Sequence, residues 1–467
     1  MISIKSSLAL FVGLLLSATL MANDTVRVLG LESFMNIVRT YHPVVRVATI
    51  QVDKSKAEVL KSRGAFDPGF TSATESKTLG DKQYFNYTRH ELLIPTWYGV
   101  DIKAGVDKAE GYYLNPESTK GSVGYVGVKV PANALFFDKR RAALQQAQAM
   151  KKVSEEERRL TVNDLIYEAI GAYMNWVREY QIYSRTMALV RSNEARLSFL
   201  KTEVVQGSRP GIDTIEALGQ LMALRQQAES ASLSYQNAAL EQANYLWLEN
   251  DVPAKWYDNI VPDTSILEAQ LSKNSVQLDS LLALVSNHPK YQMLWRKMDA
   301  LKIDKKLKQQ SLLPKLSVSG SLLSKDFKSP GEQFYEALGA NNKVGIEFSL
   351  PLLMREARGA VKGAALKIEE TDIEKEQAGY KIENKIRASY NEFNSLCEQV
   401  EHYSNVVKYA EVMLRSERQK YELGESTLFM INARELKLLE SVQKLTELKA
   451  KKQKAWYAVQ YAAGILN

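Results

Sequence analysis

The sequence predicts a mainly α protein with a β-hairpin region. Duplicated long coiled-coil helices make a tunnel, and short strands contribute to a transmembrane β-barrel shared between chains. Three observations carry this reading. The chain repeats itself once, each copy holds a strand region with strict alternation of apolar and polar residues, and each strand region is followed by heptads sustained over about 65 residues.

The first 22 residues form a signal peptide. Lys5 supplies the positive start, Leu8 to Leu20 is nearly all apolar, and Ala22 lies near the expected cleavage point. No later apolar run approaches the roughly 20 residues a membrane helix needs. The formal charge of +7 falls to +6 once Lys5 leaves. Both signs are mixed along the helical stretches, so the charge describes solvated helix faces and no nucleic-acid partner. A single cysteine, Cys397, excludes an internal disulfide.

The duplication is read from offsets. His42-Pro43 and His288-Pro289 are 246 residues apart, as are Pro68 and Pro314. From Pro131 and Pro351 the offset is 220. It then settles at 217, pairing Arg141 with Arg358, Trp176 with Phe393, Val190 with Val407, Leu197 with Leu414 and Gly207 with Gly424. The first copy, 23–265, therefore carries 26 extra residues between its two prolines; the second copy is 266–467. A unit of that length is a duplicated domain and not a solenoid repeat.

Each copy begins with a helix, near Leu31–Gly64 and Ser280–Leu313. The strand regions follow, at 66–131 and 314–351. In the second, Leu316, Val318 and Leu322 alternate with serines, and Val344, Ile346 and Phe348 alternate with Gly345, Glu347 and Ser349. In the first, Val126, Val128 and Val130 show the same period. The extra residues, near Tyr84–Tyr113, add another run at Val100, Ile102, Ala104 and Val106. A period of two means strands with one oily and one polar face.

Long helical hairpins come next, at 138–250 and 355–463. Apolar positions fall on a 4-3 spacing: Val162, Ile166, Ala169, Tyr173, Trp176, Tyr180, Tyr183, Met187, Val190 and Leu197 in one copy. Ile382, Ile386, Phe393, Leu396, Val400, Tyr403, Val407, Ala410, Leu414 and Tyr421 follow it in the other. A helix of about 65 residues is roughly 100 Å long. Gly207–Gly211 and Gly424–Ser426 reverse the chain, and return helices run over Asp213–Asn250 and Thr427–Ala463. Asp213 and Glu216 have the spacing of a capping box.

The chemistry of an enzyme is missing. There is no Ser/His/Asp order, no HExxH and no phosphate loop. His42 and His288 each precede a proline at a helix start, with no second ligand at metal spacing. The aromatic and Met stripes are a coiled-coil seam, and no cofactor or metal is expected. One chain offers four clear strands, or six if the extra run adds a hairpin. Single-chain bacterial barrels begin at eight, and lipid satisfies no open sheet edge. Several copies must therefore share one barrel; three would give 12 strands, or 18 with the extra hairpin.

The chain resembles the TolC-like outer-membrane efflux factors over nearly all of its mature length. The resemblance lies in the duplicated order of helix, hairpin, long helix, turn and long helix. It lies also in "FDPGF" at 66–70, "VPANALFFDKRRA" at 130–142, "LPLLMREARGA" at 350–360 and "YELGESTLFMINARE" at 421–435. It implies a homotrimer whose barrel sits in outer-membrane lipid, extended into the periplasm by a helical tunnel. The partners it implies are a periplasmic adaptor protein and an inner-membrane transporter, as in tripartite efflux or type I secretion. The role is a passive exit duct with no catalytic step. It also implies that the helical turns meet the adaptor, at Gly207, Gly424, Glu425 and Ser426, and that Asp213 and Tyr421 hold a periplasmic gate through a hydrogen bond. Two departures from the family pattern stand out. Ser426 replaces a basic residue, and Met430 and Ala433 replace acidic ones. The other function class the sequence allows is a trimeric envelope spacer or adhesin-like structure; two strand–helix units per chain favour a ring around a bore.

Overall fold

The computed structural model describes residues 27–115, 117–254, 260–273, 277–325 and 341–466; the signal peptide lies outside them. In chain order the elements are β1 (Arg27–Leu29), α1 (Leu31–Tyr41), α2 (Pro43–Arg63), β2 (Gly69–Leu79), β3 (Lys82–Pro95), β4 (Asp101–Glu110), β5 (Gly121–Pro131), the short α3 (Ala132–Phe136) and α4 (Lys139–Val205). Next come α5 (Gly211–Ala243), β6 (Trp247–Leu248), β7 (Val252–Pro253), β8 (Ile260–Pro262), α6 (Leu278–Leu282) and α7 (Pro289–Gln310). Then follow β9 (Lys315–Lys325), β10 (Asn342–Ser349), α8 (Arg355–Glu422) and α9 (Leu428–Ala462). The four hairpin helices α4, α5, α8 and α9 are 67, 33, 68 and 35 residues long. No described helix is long and apolar enough to cross a membrane.

The chain divides into two compact units, each drawing on both sequence halves: residues 1–43, 165–276 and 389–460 in one, and 44–164, 277–388 and 461–467 in the other.

The second unit holds a six-stranded antiparallel sheet in the order β10-β9-β5-β4-β3-β2. The extra residues of the first half form β3 and β4 inside it. Directly paired residues share a face, so the register defines two surfaces. One carries Phe348, Ile346, Val344, Leu316, Val318, Leu322, Val130, Val128, Val126, Ala104, Ile102, Ile94, Leu92 and Phe70. The other is polar and internally paired. Arg89 binds Asp107 at 2.9 Å, Tyr125 donates to Glu91 at 2.8 Å, and Lys103 lies 3.6 Å from the same Glu91. The apolar surface is open: Ile346 is 72% exposed and Phe70 69%.

Helix ends are tied to one end of this sheet. Phe66, just past α2, packs on Trp97 of the β3–β4 turn with ring centroids 5.2 Å apart. Arg140 at the start of α4 reaches Asp101 of β4 at 2.8 Å. The β4–β5 loop lies at the opposite end, where the Tyr113 N–H donates to the Tyr84 carbonyl at 2.9 Å.

His288 caps α7, its Nδ1 accepting from the Lys290 N–H at 3.1 Å. Burial pushes its pKa down to about 4, with Lys385 and Arg159 adding to the shift. The chain end packs over it. Gly464 holds φ +73°, and a Cβ there would stand 2.6 Å from Pro289. The Asn163 side chain donates to the Tyr461 carbonyl and accepts from the Leu466 N–H, both at 3.1 Å.

In the first unit Phe34 stacks on Tyr173, whose hydroxyl donates to the Leu29 carbonyl at 2.7 Å. Every heptad position of this unit is buried or half-buried, from Ile166 through Leu197 and from Phe393 through Tyr421. His42 closes α1 and packs against Tyr245 and Trp247; its burial lowers its pKa despite a hydrogen bond that its ring donates to the Asn244 backbone. Both His-Pro pairs are thus helix junctions with buried rings. Cys397 is half-buried, its thiol facing the Leu271 carbonyl at 3.9 Å.

Three sequence expectations need correction. The first helix is broken at His42, because Pro43 must start a new one. The helix expected from Ser280 is likewise two, with α7 starting at Pro289. The return helix α5 stops at Ala243 and not at Asn250. There Trp247 Nε1 donates to the Asn244 carbonyl at 2.8 Å, and Asn250 and Asp251 take left-handed conformations in the β6–β7 turn.

Candidate functional site

The candidate residues lie in the first unit, where α4 turns into α5 and α8 turns into α9. Both reversals use the same device. Gly207 and Gly424 hold φ of +73° and +79°, a left-handed conformation that glycine takes without a Cβ penalty. The Gly207 N–H donates to Val204 and Ser208 to Glu203, both at 3.0 Å. The Gly424 N–H donates to Tyr421 at 3.0 Å and Glu425 to Lys420 at 2.8 Å. These are Schellman closures at positions 217 apart. Gly207, Gly424 and Glu425 are exposed; Ser426 is half-buried.

Asp213 does not cap α5. Pro210 precedes the helix, with an extended backbone and no side-chain cap, so Asp213 falls in the first turn, where a carboxylate favours the positive end of the helix dipole. Nor does the protomer pair Asp213 with Tyr421 directly. Arg209 stands between them, its guanidinium 4.5 Å from the Tyr421 ring centroid and 3.9 Å from the Asp213 carboxylate. Within the protomer the buried Tyr421 hydroxyl has no hydrogen-bond partner. Burial raises its pKa, Arg209 opposing and Asp213 adding.

At the other turn Ser426 Oγ donates to the Glu417 carboxylate at 2.6 Å, and that bond, with Arg434 nearby, holds Glu417 below its usual range. Ser426 therefore still binds an acidic partner without a charge of its own. Met430 and Ala433 are exposed.

The sequence reading missed the most deeply buried charge here. Glu435 of α9 is fully buried and pairs with Arg196 of α4 and with Arg418 of α8 at 2.7 Å. Burial works against its charge, but the two arginines outweigh it and hold the carboxyl below its ordinary value. Asn193 reaches the same carboxylate at 3.3 Å. Asn432 accepts from Arg196 at 3.2 Å and donates to Glu216 of α5 at 3.3 Å. All four helices thus meet in one polar cluster. The available signal was Glu435 in a place where the 3.6-residue period required an apolar residue.

Among the described residues no group of three His, Cys, Asp or Glu could hold a metal ion. No protein-family profile matches the chain, and no curated protein sequence does. Solved structures do. The Campylobacter jejuni CmeC outer membrane channel superposes with a TM-score of 0.65 at 12% identity, covering 93% of this chain and 85% of that one. The open state of the Neisseria gonorrhoeae MtrE outer membrane channel gives 0.63 at 13% identity, covering 96% and 93%. A structure of CusC, described as forming a transmembrane channel, gives 0.64 at 13%, covering 96% and 95%. The fold is therefore that of these channels, mainly α with a six-stranded antiparallel sheet.

Proposed function

We propose that the protein is the outer-membrane exit duct of a tripartite efflux or type I secretion system. It conducts substrates passively from periplasm to exterior. The supporting observation is the sheet: one apolar face, one polar face with its own ion pairs, and two open edges, in a chain of channel fold. An open-edged sheet is stable in lipid only if other copies complete it. We therefore read the functional form as a homotrimer of chains built from two repeats, 23–265 and 266–467, after loss of residues 1–22. The helical hairpins form a periplasmic tunnel. The exposed turns at Gly207 and at Gly424, Glu425 and Ser426 meet an adaptor protein, which joins the duct to an inner-membrane transporter.

The gate in this reading is a trio and not a pair. Arg209 links Asp213 to Tyr421 within a protomer, its guanidinium lying over the Tyr421 ring and beside the Asp213 carboxylate. Purified protein in planar bilayers should give stable ohmic channels, with higher conductance for Arg209→Gln and Asp213→Ala than for the parent. Trimers that insert without conducting would remove the duct reading. Parent-like conductance in both variants would remove the gate alone.

A further inference from the structure

The wall of a shared barrel takes either two strands from each half of a chain or all six of the sheet. We infer that it takes all six: three copies close an eighteen-stranded barrel in which β2 of one copy pairs with β10 of the next. This rests on the proposed trimer.

The topology leaves β3 and β4 no place outside the wall. β2 starts beside the end of α2, and the β3–β4 turn is anchored at the same end of the sheet by Phe66 and Trp97 and by Arg140 and Asp101. Each of β2, β3, β4 and β5 therefore runs the height of the sheet. Their lengths of 11, 14, 10 and 11 residues match or exceed the roughly 9–11 a membrane-spanning strand needs. Pairing is unbroken from β10 to β2, with one irregularity at Lys77/Thr78. An even number of antiparallel strands leaves β2 and β10 running in opposite senses, so the edge of one copy can continue the ladder of the next.

Side chains fix the register. β2 begins directly after Pro68 and β10 ends just before Pro351, so their helix-side ends align Gly69 with Ser349. Then Phe70 faces Phe348 on the apolar surface, and Glu75 faces Lys343 on the polar one. All eight residues of β10 are matched by Gly69–Ser76. Sliding by two residues one way sets Lys77 against Lys343, a like-charge pair. Sliding the other way takes Lys343 from Glu75 to Ala73. Opposite charges directly across a ladder stabilise it and like charges do not. A wall of this strand number encloses a water-filled channel.

The test uses the full chain in outer membranes, with Cys397→Ser as background. Thr71→Cys and Glu347→Cys in one chain should yield reductant-sensitive dimers and trimers on oxidation, with most chains linked, while either alone gives none. Lys103→Cys with Glu347→Cys should stay unlinked. Linking of that second pair instead would place the β2–β3 hairpin outside the wall and overturn the proposal while leaving the trimer intact. An intact trimer in which neither pair links overturns it as well, and folded monomers sink the trimer reading itself. As a check on register, Lys343→Glu should lower the temperature at which the trimer survives detergent, and adding Glu75→Lys should restore it. Failure of that rescue refutes the register.

Discussion

The two halves of the chain close their helical hairpins with the same backbone and different side chains. Both turns end in a left-handed glycine and the same pair of backbone bonds. Around that frame the first half places Arg209 and Asp213, and the second places Ser426 and Met430. Glu435 is fully buried on two arginines; 217 residues earlier stands Leu218, which is 40% exposed. The strand regions diverge further, four strands against two among the described residues. Backbone devices that build the hairpin are repeated, whereas charges that would choose neighbours are not. In the proposed trimer a ring of alternating first and second hairpins would have two kinds of junction, and only one would need to carry a gate.

That contrast can be broken by mutation. The largest effect is expected at the polar cluster centred on Glu435 of the second half's return helix. Arg196→Met leaves Glu435 with one arginine, and loss of a buried ion-pair partner should cost about 4 kcal/mol, read as a lower unfolding midpoint of the helical signal. The two His-Pro junctions come next. The folded-state pKa of His288 is depressed to about 4 from an ordinary 6.5. The unfolded chain thus binds the proton more readily, so the contribution is complete above pH 6.5 and is lost as pH falls toward 4. It amounts to about 3 kcal/mol. His288→Asn should flatten this part of the acid denaturation profile.

Smaller effects should show where the halves agree. Gly207→Ala and Gly424→Ala each force an alanine into a left-handed conformation and should destabilise by about 1 kcal/mol, equally. A clear inequality would mean that the turns are not equivalent even in backbone. Tyr421→Phe should leave stability unchanged or raise it by up to about 1 kcal/mol, since it removes a buried hydroxyl without a partner in the protomer and the ring keeps Arg209. A loss of stability in the assembled protein would locate that hydroxyl in a bond to a neighbouring copy.

Much of this architecture was legible because long periodic segments speak with many residues. The heptads on α4 and α8 marked their buried faces residue by residue, and Gly207 and Gly424 marked both reversals. β2 was not legible. Ser72, Thr74 and Ser76 lie on the same face as Phe70, and the opposite face is also polar, so no apolar alternation announces it. Its identity as a strand comes from its neighbours. The contact of Arg209 with Asp213 and Tyr421 escaped for another reason. Arg209 is two residues past its glycine, in a turn where periodicity ends, and its reach to both Asp213 and Tyr421 depends on two helical hairpins meeting in space. Glu435 appeared as a solvated charge because the residues that bury it are 17 and 239 positions away.

One protomer cannot complete the sheet it carries, whose edge strands are β2 and β10. This is tested most directly by the mass of the detergent-purified protein, measured by light scattering with the detergent contribution subtracted. Three chains per particle, persisting on dilution, are expected. A folded, stable particle of one chain would contradict this, because β2 and β10 would then be tolerated as open edges.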